Sequence, residues 1–213
     1  MQIEFSPDLA RKLRDEGTMK TILKYIHKVN WLKTIVYYMI DWRTRKQVNL
    51  QNWLKAHLEA PGEAITQLDH ISDLKTNRAK IRQIMRFVHT NIKYKKDKEQ
   101  WDVEEKWQTP TETWNFKTGD CEDHALLIYA IAHYFDIPDY QLHITAGDTV
   151  VGGHCYLVYV CELDGLMYPI DSTVYPEKSF SMDKPYHKRS DYYNGTKEWF
   201  RFNSTAAYKL WRK

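Results

Sequence analysis

The chain has 213 residues with a formal net charge of +3, so it suits one mid-sized domain, or a catalytic domain with an extension, and near-neutrality argues against nucleic acid or an anionic membrane as its default partner. Only 8 Gly and 7 Pro accompany a hydrophobic share of 43%, with 8 Trp and 15 Tyr, which excludes collagen-like repeats, Pro-rich linkers and intrinsic disorder. The three cysteines, Cys121, Cys155 and Cys161, are too few and unevenly spread for a disulfide framework and favour a reducing compartment.

From Pro7 to about Thr76 the pattern is charged and helical, with Ile22, Ile26, Val29, Leu32, Ile35, Val36 and Met39 at three- and four-residue steps. The most apolar window, Trp31 to Trp42, is about half the ~20 residues of a membrane span and contains Lys33 and Asp41, so it reads as a buried helix. The opening M-Q-I-E-F-S-P-D has no charged segment followed by an apolar one. A cytoplasmic location with no membrane span is therefore expected. Pro61-Gly62 predicts a break between two helices. Residues 1–76 are accordingly read as a helical extension, and 77–213 as the core.

Ile81, Ile84, Met85, Val88 and Ile92 predict a helix from Asn77 to about Ile92. Arg78, Arg82, Arg86, His89 and Lys93 form a basic stripe along its other edge. After a polar connection, Trp107 to Gly119 reads as a loop with Pro110 near its start. Asp120 is a natural N-cap for a helix that opens Cys121-Glu122-Asp123 and continues A-L-L-I-Y-A-I-A-H-Y-F, apolar nearly all round and hence central. Tyr140 to Ala146 predicts a strand. Beyond Gly152-Gly153, H-C-Y-L-V-Y-V-C-E-L predicts another, and Asp164-Gly165 predicts a hairpin into L-M-Y-P-I-D-S-T. Trp199, Phe200, Phe202 and Trp211 suggest that the tail packs on the body. Helices first, then one buried helix, then antiparallel strands describe an α+β fold.

Chemistry concentrates at three positions. A nucleophilic cysteine needs its thiolate, which the first turn of a helix stabilises, and Cys121 stands there. His154 opens the strand after two glycines and can serve as its base. Asp171, beyond the hairpin, can lie beside His154 and orient it, completing a Cys-His-Asp triad. Strand alternation places Tyr156, Val158 and Val160 on the His154 face, and Cys155, Leu157, Tyr159 and Cys161 on the other, as packing residues. The inert alternative for Cys121 is a buried free thiol.

The string W-Q-T-P-T-E-T-W-N-F-K-T-G-D-C-E-D-H-A-L-L, Trp107 to Leu127, resembles the bacterial transglutaminase-like cysteine proteinases, a branch of the papain-like transglutaminase superfamily. N-I-K-Y at Asn91 to Tyr94 is similar to the family's preceding I-x-Y segment, G-G-H-C-Y-L-V-Y-V to its histidine strand, and Y-P-I-D-S-T to its acid strand. The resemblance spans roughly Asn77 to Val174. It implies a papain-like core with Cys121 as nucleophile, His154 as base and Asp171 as orienter. Two departures are Glu105, where Asp is expected, and Ser172-Thr173, where the proteinases nearest in motif have Asn. The expected activity is a cysteine peptidase acting on a protein substrate through a thioester, with no obligatory cofactor. The rivals are transglutaminase-type transfer to an amine and a non-enzymatic binding module. For Asp120, Glu122 and Asp123 two readings stand: caps of the helix N-terminus, or oxygen ligands of a calcium ion, as in relatives with this D-C-E-D motif. Trp107 and Gln108 are candidate oxyanion donors beside the Cys121 amide. His124, His133 and His143 read as structural or exposed.

Overall fold

The computed structural model describes residues 50–149, 152–173 and 198–208. The Trp31–Trp42 window, Trp211 and most of the predicted extension lie outside them. Two short helices, α1 (Leu50–Ala56) and α2 (Gly62–Leu68), flank Pro61 and lead into a 3-10 turn at Asp69–Asp73. Then follow α3 (Asn77–Asn91), β1 (Lys93–Tyr94), α4 (Asp97–Trp101), α5 (Pro110–Phe116), β2 (Thr118–Gly119), α6 (Cys121–Tyr134), a second 3-10 turn at Asp139–Gln141, β3 (Leu142–Thr149), β4 (Gly152–Val160), β5 (Met167–Ile170), β6 (Glu198–Phe202) and β7 (Ala207–Tyr208).

The main sheet is antiparallel, in the order β5-β4-β3-β6-β7. The short parallel pair β1-β2 sets Tyr94 beside Gly119, directly before the turn that opens α6. Helix α6 is the centre of the molecule: every residue from Glu122 to Ala132 is buried. A helix that is apolar all round has no solvent face to present, and here it lies between α3 and the β4 face that carries Cys155, Leu157 and Tyr159. The α+β architecture expected from the element order is the one observed.

The described part of the extension packs against the body, and one segment differs from the sequence reading. Leu54, Ala64, Ile65, Leu68 and Ile71 belong to the same hydrophobic core as α6, so packing does not break before Asn77 in the described part of the extension. The segment read as a loop from Trp107 to Gly119 contains α5. Pro110 starts this helix rather than breaking it, because a proline at the first helical position gives up only an N–H that would be unpaired anyway. Thr109 Oγ1 accepts from the Glu112 amide at 3.2 Å, and Glu112 accepts from the Thr109 amide at 2.8 Å, a complete capping box.

The tail does return to the body. β6 pairs with β3 through Ala146–Phe200 and Ile144–Phe202. Gly153 is required by this return: a Cβ there would stand 2.7 Å from Trp199 Cη2. Among the described residues no helix is long and apolar enough to cross a membrane.

Candidate active site

Cys121 is the first residue of α6, where its backbone faces the unpaired amides of the helix start. Its thiol donates to Glu122 Oε2 at 3.2 Å and lies against the backbone amide of Cys155, the residue directly after His154. The helix that carries the nucleophile candidate is thereby held to the beginning of β4. Burial, reinforced by the charge of Asp120, pushes the Cys121 thiol well above its ordinary pKa.

His154 and Asp171 meet as the hairpin predicts. β4 and β5 pair in a register that brings Leu157 opposite Ile170, so Asp171, one residue past the strand, reaches back to His154. His154 Nε2 donates to Asp171 Oδ2 at 2.6 Å, and both side chains are buried. The Thr173 amide and hydroxyl donate to Asp171 Oδ1 at 2.8 and 2.7 Å. The acid is thus held on two sides, and Nδ1 is the ring nitrogen of His154 opposite the one it grips. Tyr156 stacks on the imidazole, with centroids 5.9 Å apart and planes at 23°. His124 also belongs to this neighbourhood: it is 2% exposed, its Nδ1 lies 2.7 Å from Ser172 Oγ, and burial lowers its pKa to about 4.

On the other side of Cys121 the structure gathers carboxyl groups. Ligand atoms of Asp97, Glu105 and Glu122 lie within 4.8 Å of one another, as do those of Asp97, Asp120 and Asp123. Burial raises the pKa of Asp120 to about 8, helped by the charges of Asp123, Asp97 and Glu105. Burial likewise raises Glu122 well above the usual range, and Asp97 and Glu105 less. Asp120 Oδ1 and Glu122 Oε1 are buried and accept no hydrogen bond. Asp123 is different. Its carboxylate accepts the Gln108 amide at 2.8 Å, the Gln108 side-chain Nε2 and the Asp120 amide at 3.2 Å. With Asp120 it forms the capping box of the helix start, as one of the two readings proposes, while Asp120 also stands beside Asp97, and Glu122 beside Asp97 and Glu105. Those two were not singled out from the sequence as ligands, because their approach depends on how the 97–106 segment closes, with the Lys106 amide donating to Asp97.

The oxyanion candidates are engaged elsewhere. Gln108 Nε2 also donates to the Thr118 carbonyl at 3.2 Å, and Trp107 Nε1 donates to Glu105 Oε1 at 3.0 Å. The Trp107 ring stacks on Phe202 and meets Trp53 edge-on, the role of a packing anchor. Cys155 packs in the core as strand alternation predicts, and burial, with the charges of Glu122, Asp120 and Glu105, pushes its thiol well above the ordinary pKa. The basic stripe on α3 is used internally at both ends. Arg78 pairs with Asp164 at 3.6 Å and sits over the Tyr168 ring, and His89 donates to the Ser172 carbonyl at 2.7 Å.

A model of the transglutaminase-like domain matches residues 63–189, well over half of the chain. The chain belongs to the transglutaminase-like domain family. Among solved structures, calcium-bound Legionella pneumophila LapG aligns with a TM-score of 0.55 at 19% identity, covering 75% of this chain and 85% of LapG. EGTA-treated Legionella pneumophila LapG aligns at 0.56 and 19%, over 76% and 84%. At that identity the likeness is one of fold. No curated protein matches the sequence. The transglutaminase-like fold therefore agrees with the resemblance carried by Trp107–Leu127, and the match begins within α2, consistent with the core that α2 shares with α6.

Proposed function

We propose that this transglutaminase-like protein is a cysteine peptidase in which Cys121 is the nucleophile, His154 the general base and Asp171 its orienter. The observation that carries the reading is the buried His154–Asp171 hydrogen bond of 2.6 Å on the strand whose next amide touches the Cys121 thiol. His154 takes the Cys121 proton at Nδ1, and the thiolate attacks the carbonyl of a peptide bond in a protein substrate. His154 then returns the proton to the leaving amine, so a thioester forms as the C–N bond breaks. Water, deprotonated by the same imidazole, cleaves the thioester and restores the thiol. The Cys121 amide at the start of α6 is the oxyanion donor this reading retains.

The carboxyl cluster is part of the proposal. Oxygen-only ligands of this number suit calcium, and two buried carboxylate oxygens without partners fit such an ion. Asp97, Glu105, Asp120 and Glu122 are assigned as ligands, with Asp123 kept for Gln108 and the helix cap. A calcium ion there would supply the positive charge that keeps these groups ionised and offsets their hold on the Cys121 proton. The calcium-bound state of LapG, a protein of like fold, is consistent with this.

The test is incubation of a proteome-derived peptide library with calcium, a labelled primary amine and either wild type or Cys121→Ala. New peptide termini that require Cys121 are expected. Label joined to peptides instead would make the protein a transamidase, and identical products from Cys121→Ala would end the reading.

A further inference from the structure

Ser172 follows Asp171 at the end of β5, is 3% exposed, and is tied to two helices at once. Its carbonyl accepts Nδ1–H of His89 from α3 at 2.7 Å. Its hydroxyl lies 2.7 Å from Nδ1 of His124 in α6. His124 stands three residues after Cys121, so it projects from the same side of the helix one turn further on. A single side-chain hydrogen bond therefore joins the helix that carries the thiol to the residue next to the triad acid.

Packing alone does not account for this arrangement. A buried imidazole or hydroxyl costs free energy unless it is bonded, and an apolar pair would fill the same space without that cost. What the pair adds is direction: an N···O contact of 2.7 Å fixes both separation and angle, which apolar packing does not. Asp171 is then held by Thr173 from one side and, through the chain, by Ser172 from the other, while its Oδ2 grips His154.

We propose that His124, acting through Ser172, is a positioning residue that sets Asp171, and with it the His154 imidazole, relative to the Cys121 thiol. This rests on the triad reading above. Displacement by about 1 Å of a group that positions a reacting centre can cost ~10²-fold in rate, so loss of the tether is expected to be large relative to its distance from the sulfur.

The experiment measures alkylation of Cys121 by iodoacetamide at neutral pH in calcium, followed by mass spectrometry of the intact full chain. His124→Ala is expected to slow the reaction roughly 10-fold or more, and His124→Asn, which sets an amide nitrogen near the position of Nδ1, to restore most of it. In an Asp171→Asn background His124→Ala should change the rate by less than about two-fold, because a residue that works through Asp171 has nothing left to position. Wild-type reactivity in His124→Ala, or effects of the two substitutions that multiply in full, would overturn the proposal. If His124→Ala does not fold, Ser172→Ala removes the same hydrogen bond without opening α6, and wild-type reactivity in that variant overturns it equally. A wild-type rate that is unchanged in His154→Ala would instead defeat the triad reading and this inference with it. Dependence on His154 without dependence on His124 defeats the inference alone.

Discussion

On one side of the Cys121 thiol, Asp97, Glu105, Asp120 and Glu122 crowd together with raised pKa values and two buried oxygens that accept no hydrogen bond. On the other, both oxygens of Asp171 receive donors, and Ser172 is anchored to α3 and α6. The two regions are similarly buried, yet the carboxylate of Asp171 is satisfied from within, with only the His124 Nε2 left unpartnered on that side among the described residues, whereas Asp120 and Glu122 each leave a buried oxygen without a donor. Like charges taken out of water are tolerated when a cation joins them and otherwise neutralise by taking up protons. On the function proposed above, the histidine side is preorganised chemistry and the acidic side holds the ion that controls it.

The strongest way to break this contrast is His154→Ala. It should lower the rate of peptide cleavage by roughly 10²–10⁴-fold, the usual worth of a general base, measured by appearance of new termini in the peptide library. A loss below about three-fold would remove the histidine side from the chemistry.

The acidic side is sharpened by Glu122→Gln, which should weaken calcium binding at least ~10-fold in a calorimetric titration, since losing a charged ligand should cost no less than losing a group that only supports one. Asp171→Asn should leave that affinity within about two-fold. Equal affinities for wild type and Glu122→Gln would place the ion elsewhere.

The pH dependence follows from the same cluster. Asp120 moves from 3.8 to about 8 and Asp123 from 3.8 to about 7, so the calcium-free native state keeps protons that the unfolded chain has already released. Stability from these groups is fully present below pH 3.8 and is lost as pH rises toward 8. In EGTA the melting temperature should therefore fall between pH 5 and 8, by several degrees, and saturating calcium should flatten the fall. A melting temperature that rises over this window in EGTA would contradict the assigned protonation.

The mildest effect belongs to the segment that presents Gln108 to Asp123. Thr109→Ala removes the α5 cap and should cost about 1 kcal/mol in urea unfolding, with Cys121 alkylation unchanged. A large change in alkylation would mean that α5 participates more closely than its contacts indicate.

Much of this arrangement is legible in the amino-acid sequence where the signal is local. The apolar run after Cys121 announces a central helix, and the Asp164-Gly165 turn sets His154 and Asp171 on adjacent chain segments, because hairpin register follows from the turn. Signals that depend on closure of the chain are not legible in this way. Glu198–Phe202 joins β3 across more than fifty residues with no turn to predict the pairing. Asp97 and Glu105 reach Glu122 only once the 97–106 segment has folded over the helix start. The capping box at Thr109–Glu112 was local and readable; Pro110 obscured it by suggesting a break. Ser172-Thr173, a departure from the family's pattern in sequence, becomes intelligible once its hydroxyls are seen on His124 and Asp171.

Cys121 is proposed to be activated by His154 beside a cluster that calcium neutralises. This is tested most directly by limiting iodoacetamide at neutral pH, with the labelled cysteines identified by peptide mass spectrometry in calcium and in EGTA. Selective modification of Cys121 over Cys155 and Cys161 is expected in calcium, lost in EGTA and lost in His154→Ala. Equal modification of all three cysteines, indifferent to calcium and to His154, would contradict it.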